Sequence, residues 1–369
     1  MTKRFRIVCA IGTRPEAIKM APVIMALRDA PWASVRVLAT AQHRQMLDQV
    51  LEFFGIKTDI DLNLMRPEQS LADLTSRMMT TVDAALEAEQ PEMVLAQGDT
   101  TTVMVTALAC FYRRVPFGHV EAGLRTFDRS APFPEEMNRV LTSQMAAVHY
   151  APTERAREHL LREGVVDERI LVTGNTVIDA LLWAAQHCGE FDAGLDQERR
   201  ILLVTAHRRE NFGPPLEEIC EALLELTVTE RLAVLFPVHP NPNVTRIVER
   251  MLANRPHVRL LPPLEYPRFV AAMKAAHLVL TDSGGVQEEA PSLGKPVIVL
   301  RNATERPEGI AAGNACLVGP HRERIVQRVK QLLTDHELYE SMAHARNPYG
   351  DGLASRRIVE HLQEAARRA

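Results

Sequence analysis

The sequence predicts an α/β protein of two doubly wound, parallel-sheet domains facing a cleft. Three observations predict it. Short runs rich in Val, Ile and Leu alternate with helical stretches along almost the whole chain, and unbroken apolar runs mark strands covered on both faces. The alternation breaks once, in the polar stretch 188–200 with Gly189 and Gly194, and then begins again. The length, 369 residues, exceeds what one hydrophobic core comfortably organises. The predicted domains are 1–188 and 189–353, with ligands expected outside the carboxyl ends of the strands.

Taken in order, residues 6–11 read as the first strand. Gly12-Thr13-Arg14-Pro15-Glu16 turns into a helix carrying Ile18, Met20, Val23, Ile24 and Leu27, and Pro15 suits its first turn. Strand 35–39, helix 42–54, a short strand at 61–64 and a long helix 70–88 follow. Strand 93–96 ends in Gln97-Gly98-Asp99, then comes helix 100–113, and strand 115–120 ends in Glu121-Ala122-Gly123. A long loop, 124–133, precedes a helix opened by Pro134-Glu135-Glu136; loops of this length are functional or mobile. Strands at 148–150 and 170–172 and a helix 177–187 complete the first half. The second half reads strand 201–205, helix 216–226, strand 232–237, a helix from Asn243, strand 258–261 and helix 267–276. Strand 278–280, the turn Ser283-Gly284-Gly285, a short helix with Glu288 and Glu289, and strand 296–300 form one βαβ unit. A loop is expected at 302–313 and helices beyond it.

Composition narrows the function. The chain is 46% hydrophobic and 24% charged, with a net charge of −4, so it lacks the basic footprint of a nucleic-acid surface. Its five cysteines, Cys9, Cys110, Cys188, Cys220 and Cys316, are scattered, with no CxxC pair or His/Cys cluster. They read as reduced thiols, not disulfides or zinc ligands. No signal-peptide pattern and no run of about 18 apolar residues occurs, which predicts a cytoplasmic protein with no membrane partner. No cofactor or metal is expected.

Polar residues fall where a strand gives way to its loop. The glycine turn at Ser283-Gly284-Gly285 admits close approach to a phosphate, and the helix start offers unpaired N–H groups. Arg14 and Lys19 flank the first turn, Asp99 follows one strand, and Glu121 and Arg125 follow the next. Glu135 and Arg139 are four apart on a helix, a spacing at which they pair. His207, Arg208 and Arg209 follow the strand at 201–205, and His239 the strand at 232–237. Each has a plainer reading. Asp99 is placed to cap a helix, Glu135 to complement a helix dipole, His207 to be structural, Arg208 and Arg209 to be a solvated pair, and Lys19 to extend along the surface. Only their grouping, acids in the first half and cations with a phosphate turn in the second, favours function.

With these stretches together the chain resembles the non-hydrolysing UDP-N-acetylglucosamine 2-epimerases. The likeness rests on GTRPEAIKMAP at Gly12, TAQHRQMLDQVL at Thr40, GDTTT at Gly98, GHVEAGLRT at Gly118 and PEEMNR at Pro134. It continues in TGNTVIDAL at Thr173, HRREN at His207, TDSGGVQEEAPSLGKPV at Thr281 and TERPE at Thr304. The resemblance implies two Rossmann-like domains of the GT-B kind, a C-terminal helix at 354–369 that rejoins the first domain, and a homodimer. It also implies interconversion of UDP-GlcNAc and UDP-ManNAc for cell-envelope polysaccharide. By the resemblance, UDP contacts fall on Arg14, His207, Phe269, Ser283, Gly284, Gly285, Glu289 and Arg306, and essential polar residues on Lys19, Asp99, Glu121, Glu135 and Arg139. Gln42, Gln45 and Arg208 match a second, regulatory UDP-GlcNAc site of some bacterial members. Leu264 stands where some members have glutamine before the Glu-Tyr pair.

The chemistry fits. C2–H of the sugar is not acidic, and no GxGxxG fingerprint supports oxidation by a dinucleotide. Loss of UDP first would give the sugar oxocarbenium character, acidify C2–H and lead to 2-acetamidoglucal. Re-protonation from the other face needs a second acid/base group, which Asp99, Glu121 and Glu135 are placed to supply. Three alternatives stay open: a UDP-sugar glycosyltransferase of the same fold, a hydrolysing 2-epimerase releasing ManNAc and UDP, and a non-catalytic sugar-nucleotide sensor.

Overall fold

The computed structural model describes residues 4–40, 44–66, 68–196 and 198–368, with backbone alone at 44–46. The chain divides into two compact units, Met1–Ala180 with Gly350–Ala369, and Leu181–Tyr349. In the first, seven strands are β1 (Phe5–Ile11), β2 (Ala33–Ala39), β3 (Ile60–Asp61), β4 (Met93–Gln97), β5 (Phe117–Val120), β6 (Val148–Ala151) and β7 (Ile170–Val172). They lie in the order β3-β2-β1-β4-β5-β6-β7, and every pair is parallel. In the second, β8 (Arg200–Thr205), β9 (Leu232–Pro237), β10 (Val258–Leu261), β11 (Leu278–Thr281), β12 (Val297–Val299) and β13 (Ala315–Leu317) form a parallel sheet ordered β10-β9-β8-β11-β12-β13. Strand order therefore reverses between β1 and β4 and again between β8 and β11. At such reversals the loops of open parallel sheets diverge, and ligands bind there.

Local sequence explains the elements. The helix Arg14–Asp29 starts at Thr13, whose hydroxyl accepts from Glu16 N while the Glu16 carboxylate returns to Thr13 N, a reciprocal cap. The helix Leu71–Glu89 buries Leu74, Met78, Val82 and Leu86, one side chain per turn, against the first sheet. The helix Pro214–Thr229 does the same in the second unit with Leu216, Ile219, Leu223 and Leu226. The inner strands β1, β4, β5, β6, β8, β9, β11 and β12 are buried along most of their length, as parallel strands covered on both faces require, whereas the edge strands β3, β7, β10 and β13 are largely half-buried.

The last helix, Ala354–Arg368, returns to the first unit and buries Ile358 and Leu362. Asp179 supplies its missing N-terminal acceptor, taking Ala354 N at 3.2 Å, Ser355 N at 2.8 Å and the Ser355 hydroxyl at 2.5 Å. Tyr150 Oη meets His361 Nδ1 at 3.1 Å.

Several expected elements differ. A helix at Glu154–Arg162 was not anticipated, because its sequence, ERAREHLLR, is mostly charged and buries only Ala156, His159 and Leu160. The loop expected at 302–313 holds a helix, Pro307–Ala312, and the all-helical end begins instead with the three-residue edge strand β13. The strand expected at 61–64 is the two-residue β3. Among the described residues no cysteine is bonded to another, and no helix is long and apolar enough to cross a membrane.

Candidate functional site

At the β1/β4 reversal of the first unit, the loop Gly12-Thr13 and the turn Gly98-Asp99 lie at adjacent strand ends. Gly12 has no room for a side chain, since a Cβ there would meet the hydroxyls of Thr102 and Thr40, themselves 2.8 Å apart. The Glu16 carboxylate holds this corner by accepting from Gly12 N, from Thr13 N at 2.9 Å and from the Thr100 hydroxyl. Burial pushes its carboxyl up to about 7, against the donors that favour its charge.

Beyond it runs a line of alternating charges. Lys19 Nζ lies 2.5 Å from Glu121 Oε1, and Arg139 Nη2 lies 3.2 Å from Asp99 Oδ2. Glu121 follows β5 with φ +61, a left-handed conformation uncommon for any residue but glycine, Asn or Asp, and its side chain is buried. Asn175 Nδ2 donates to Glu121 Oε1 at 2.8 Å, and Gln97 Nε2 donates to Oε2. Burial raises the Asp99 carboxyl above its ordinary range; Arg139 and Lys19 oppose this, and Glu121 and Glu135 add to it. Asp99 is not the helix cap, a place taken by Thr100, so its side chain is left for other work. His119 Nε2 contacts the Gly98 carbonyl at 2.7 Å, and burial lowers its imidazole to about 4, which keeps it neutral.

The pairing expected between Glu135 and Arg139 does not occur. Arg139 turns to Asp99 and to Glu136, its Nε 3.3 Å from Glu136 Oε2. Glu136 is the buried member, accepting from Thr126 N and Phe127 N and so fixing the loop. Glu135 makes no described hydrogen bond and is half-buried at the helix start. Arg125 is structural: its fully buried side chain binds Glu163 in a bidentate pair. Arg14 opens the first helix, half-buried and without a described polar contact.

The second unit repeats this plan at the β8/β11 reversal. A fully buried carboxylate, Asp282, accepts His207 N and Arg208 N at 2.8 Å each and Asn211 Nδ2 at 2.9 Å. Its other oxygen lies 3.4 Å from His207 Nδ1. The His207 ring stacks on His239, centroids 5.4 Å apart, and burial lowers its pKa although Asp282 opposes this. Ser283 then opens the short helix Gly284–Glu289. A Cβ on Gly284 would stand 3.8 Å from the Arg306 guanidinium and 3.9 Å from Arg208 Nη2. Two guanidinium groups and a helix start thus converge on a backbone without side chains, which suits an anion of diphosphate size. Arg306 is aimed by Glu288, which takes its Nε–H, and by Thr304, whose hydroxyl accepts Arg306 N. Glu289 is buried and accepts from Tyr266 Oη at 3.3 Å.

The structure therefore gathers Lys19, Asp99, Glu121 and Arg139 in one unit, and His207, Arg208, Ser283, Gly284, Gly285, Glu289 and Arg306 in the other. Arg208, matched to the regulatory site, lies beside the cradle at Gly284. Phe269 is half-buried on the helix Tyr266–Ala275, with no described polar or ring contact to the cradle. Gln42 lies outside the described residues, and only the backbone of Gln45, in the helix Arg44–Phe53, is described. Sequence reading missed Gln97, Asn175, Asp282 and Asn211. Asp282 alone carried a signal, a charge set directly after an apolar strand.

Residues 25–363 match the family model described as UDP-N-acetylglucosamine 2-epimerase. The chain is 50% identical over 369 aligned residues to that enzyme of Escherichia coli K12, covering 97% of this chain and 98% of the relative. It is 49% identical to the Bacillus subtilis enzyme over 363 residues, 98% and 95% of the two chains. The crystal structure of UDP-GlcNAc 2-epimerase from Neisseria meningitidis bound to UDP-GlcNAc is 45% identical, with a TM-score of 0.88 over 98% of this chain and 100% of that one. With two GT-B-like parallel-sheet units and this likeness along nearly its full length, the chain belongs to the UDP-N-acetylglucosamine 2-epimerase family.

Proposed function

We propose that the chain interconverts UDP-GlcNAc and UDP-ManNAc without hydrolysis, by eliminating UDP to 2-acetamidoglucal and adding it back. The observation that carries this reading is the pairing of Glu121 with Lys19 and of Asp99 with Arg139 at the carboxyl end of the first sheet. A protein that only binds a sugar nucleotide has no need of two cation-paired acids, one buried and one half-buried, side by side. The Neisseria relative bound to UDP-GlcNAc supports the substrate class. Arg14, His207, Arg208, Arg306 and the Ser283-Gly284-Gly285 turn hold the diphosphate and meet its charge as the C1–O bond breaks. Glu289 and Phe269 contact the nucleoside. Asp99, Glu121 and Glu135 move the C2 proton, and Lys19 and Arg139 set their charge. No cofactor enters the scheme. The same reading makes the protein a cytoplasmic homodimer, a state that sedimentation of the purified protein tests, and a source of ManNAc units for cell-envelope polysaccharide.

Proton NMR of the protein with UDP-GlcNAc in D₂O tests the proposal. UDP-ManNAc carrying deuterium at C2 is the expected product. Accumulation of free ManNAc and UDP would overturn the non-hydrolysing assignment.

A further inference from the structure

Glu121 is held more closely than a paired acid requires. Asn175 has its amide orientation fixed, because Val177 N donates to Asn175 Oδ1 at 3.1 Å and so Nδ2 must face Glu121. Glu121 Oε1 therefore accepts both Asn175 Nδ2 at 2.8 Å and Lys19 Nζ at 2.5 Å, and two donors disfavour a proton there. Oε2 differs. It accepts from the amide of Gln97, the last residue of β4, and no described hydrogen bond fixes Gln97 Oε1. That amide is able to turn and offer its oxygen once Oε2 carries a proton. Gly98 lies beside Oε2 with no side chain, and a Cβ there would come within 3.9 Å. The left-handed backbone at Glu121, φ +61, keeps the carboxylate in this frame.

We propose that Asn175 and Gln97 are positioning residues for Glu121, with Asn175 closing Oε1 to protons and Gln97 serving Oε2, the oxygen that exchanges a proton with one face of C2. The inference rests on the elimination reading. In that step the C1–O pair leaves with UDP, the C2–H pair becomes the C1=C2 bond, and the proton passes from one face of C2 to Oε2; a second acid of the site then protonates C2 from the other face as UDP adds back to C1. Among the described residues, the other charged or titratable groups near this centre are Lys19 and Asp99, Arg139 and Glu135 on the helix Glu135–Met145, neutral His119 on β5, and Arg125 beyond it.

The test uses the full-length protein and two near-isosteric variants, Gln97→Met and Asn175→Asp. The latter keeps an acceptor for Val177 N. UDP affinity by calorimetry, and kcat and KM across pH, are the readouts. Gln97→Met removes a donor to the charged carboxylate, and Asn175→Asp replaces one by a like charge, so in both the acid limb of kcat should move up, by about one pH unit or more. Turnover should fall by about tenfold or more, with KM within about threefold and UDP affinity retained. Unshifted limbs in both variants, or losses of kcat that track losses of UDP affinity, overturn the positioning role. Epimerisation by the unaltered protein in D₂O without deuterium at C2 refutes the elimination itself, an outcome separate from unshifted limbs in variants of a protein that does exchange.

Discussion

Asp99 and Gly284 carry the sharpest expectations, because each serves one step. Asp99 caps no helix and pairs with Arg139, so Asp99→Asn removes a proton-transfer group while leaving the fold and the anion cradle of the second unit intact. Turnover should fall by about 100-fold or more while calorimetric UDP affinity stays unchanged; equal losses of both would contradict a proton-transfer role. Gly284 is the converse. A Cβ there meets the two guanidinium groups only at ordinary contact distance, and its backbone is not left-handed. Gly284→Ala should melt at the wild-type temperature yet bind UDP about tenfold more weakly, because the methyl group fills space reserved for phosphate. A lowered melting temperature with unchanged UDP affinity would show that the glycine serves the fold.

Among the elements, the final helix depends on a neighbour far away in sequence. Asp179 satisfies the N-terminal donors of Ala354–Arg368, and burial raises its carboxyl despite those hydrogen bonds. Asp179→Ala should cost about 1–2 kcal/mol, seen as faster amide exchange at 354–357 and a lower urea midpoint; unchanged exchange would mean that the packing of Ile358 and Leu362 alone sets the helix. The elements that were legible in the sequence share a feature: they are long or apolar enough to show a period. Continuous runs such as Val94-Leu95-Ala96 and Leu278-Val279-Leu280 mark buried strands without ambiguity. The helix Glu154–Arg162 and the edge strand β13 were not legible, because few of their residues face the core. The site divided in the same way. Lys19, Asp99, Glu121 and His207 stand out as charges beside strands. Gln97 and Asn175 are neutral amides whose importance comes from a contact 24 or 54 residues distant, which no local pattern records. Glu135 and Arg139 had the spacing of a pair, but the buried Glu136 and the nearby Asp99 offer Arg139 closer partners.

For the molecule as a whole, acid sensitivity follows from histidines hidden in both units. Burial lowers His119 to about 4 and His149 to about 3 in the first unit, and His277 to about 4 in the second. Unfolded, each would titrate near 6.5, so below that pH the unfolded chain binds more protons and stability is lost as pH falls toward 4. Glu16 acts the other way. Its folded pKa, about 7 against 4.5, gives stability at low pH that is lost as pH rises through that window. Asp99 and Asp179, whose carboxyls burial also raises, act with Glu16, while burial lowers His159, His207 and His361 as well; the lowered histidines outnumber the raised carboxyls, so the urea midpoint should drop between pH 6.5 and 4.5. His149→Leu should flatten the decline and Glu16→Gln should steepen it; a midpoint that rises on acidification would contradict this account. Each unit, moreover, closes its strand reversal with a buried carboxylate on two successive backbone N–H groups, Glu16 on Gly12 and Thr13, Asp282 on His207 and Arg208. The path of the chain through these units governs its birth on the ribosome. The first unit opens the sequence but is completed only when the helix Ala354–Arg368 packs Ile358 and Leu362 onto it, and that helix is made after all of Leu181–Tyr349. At about 5–20 residues per second, the nascent first unit waits tens of seconds with one apolar flank uncovered, while the second unit, continuous in sequence, is free to fold in the interval.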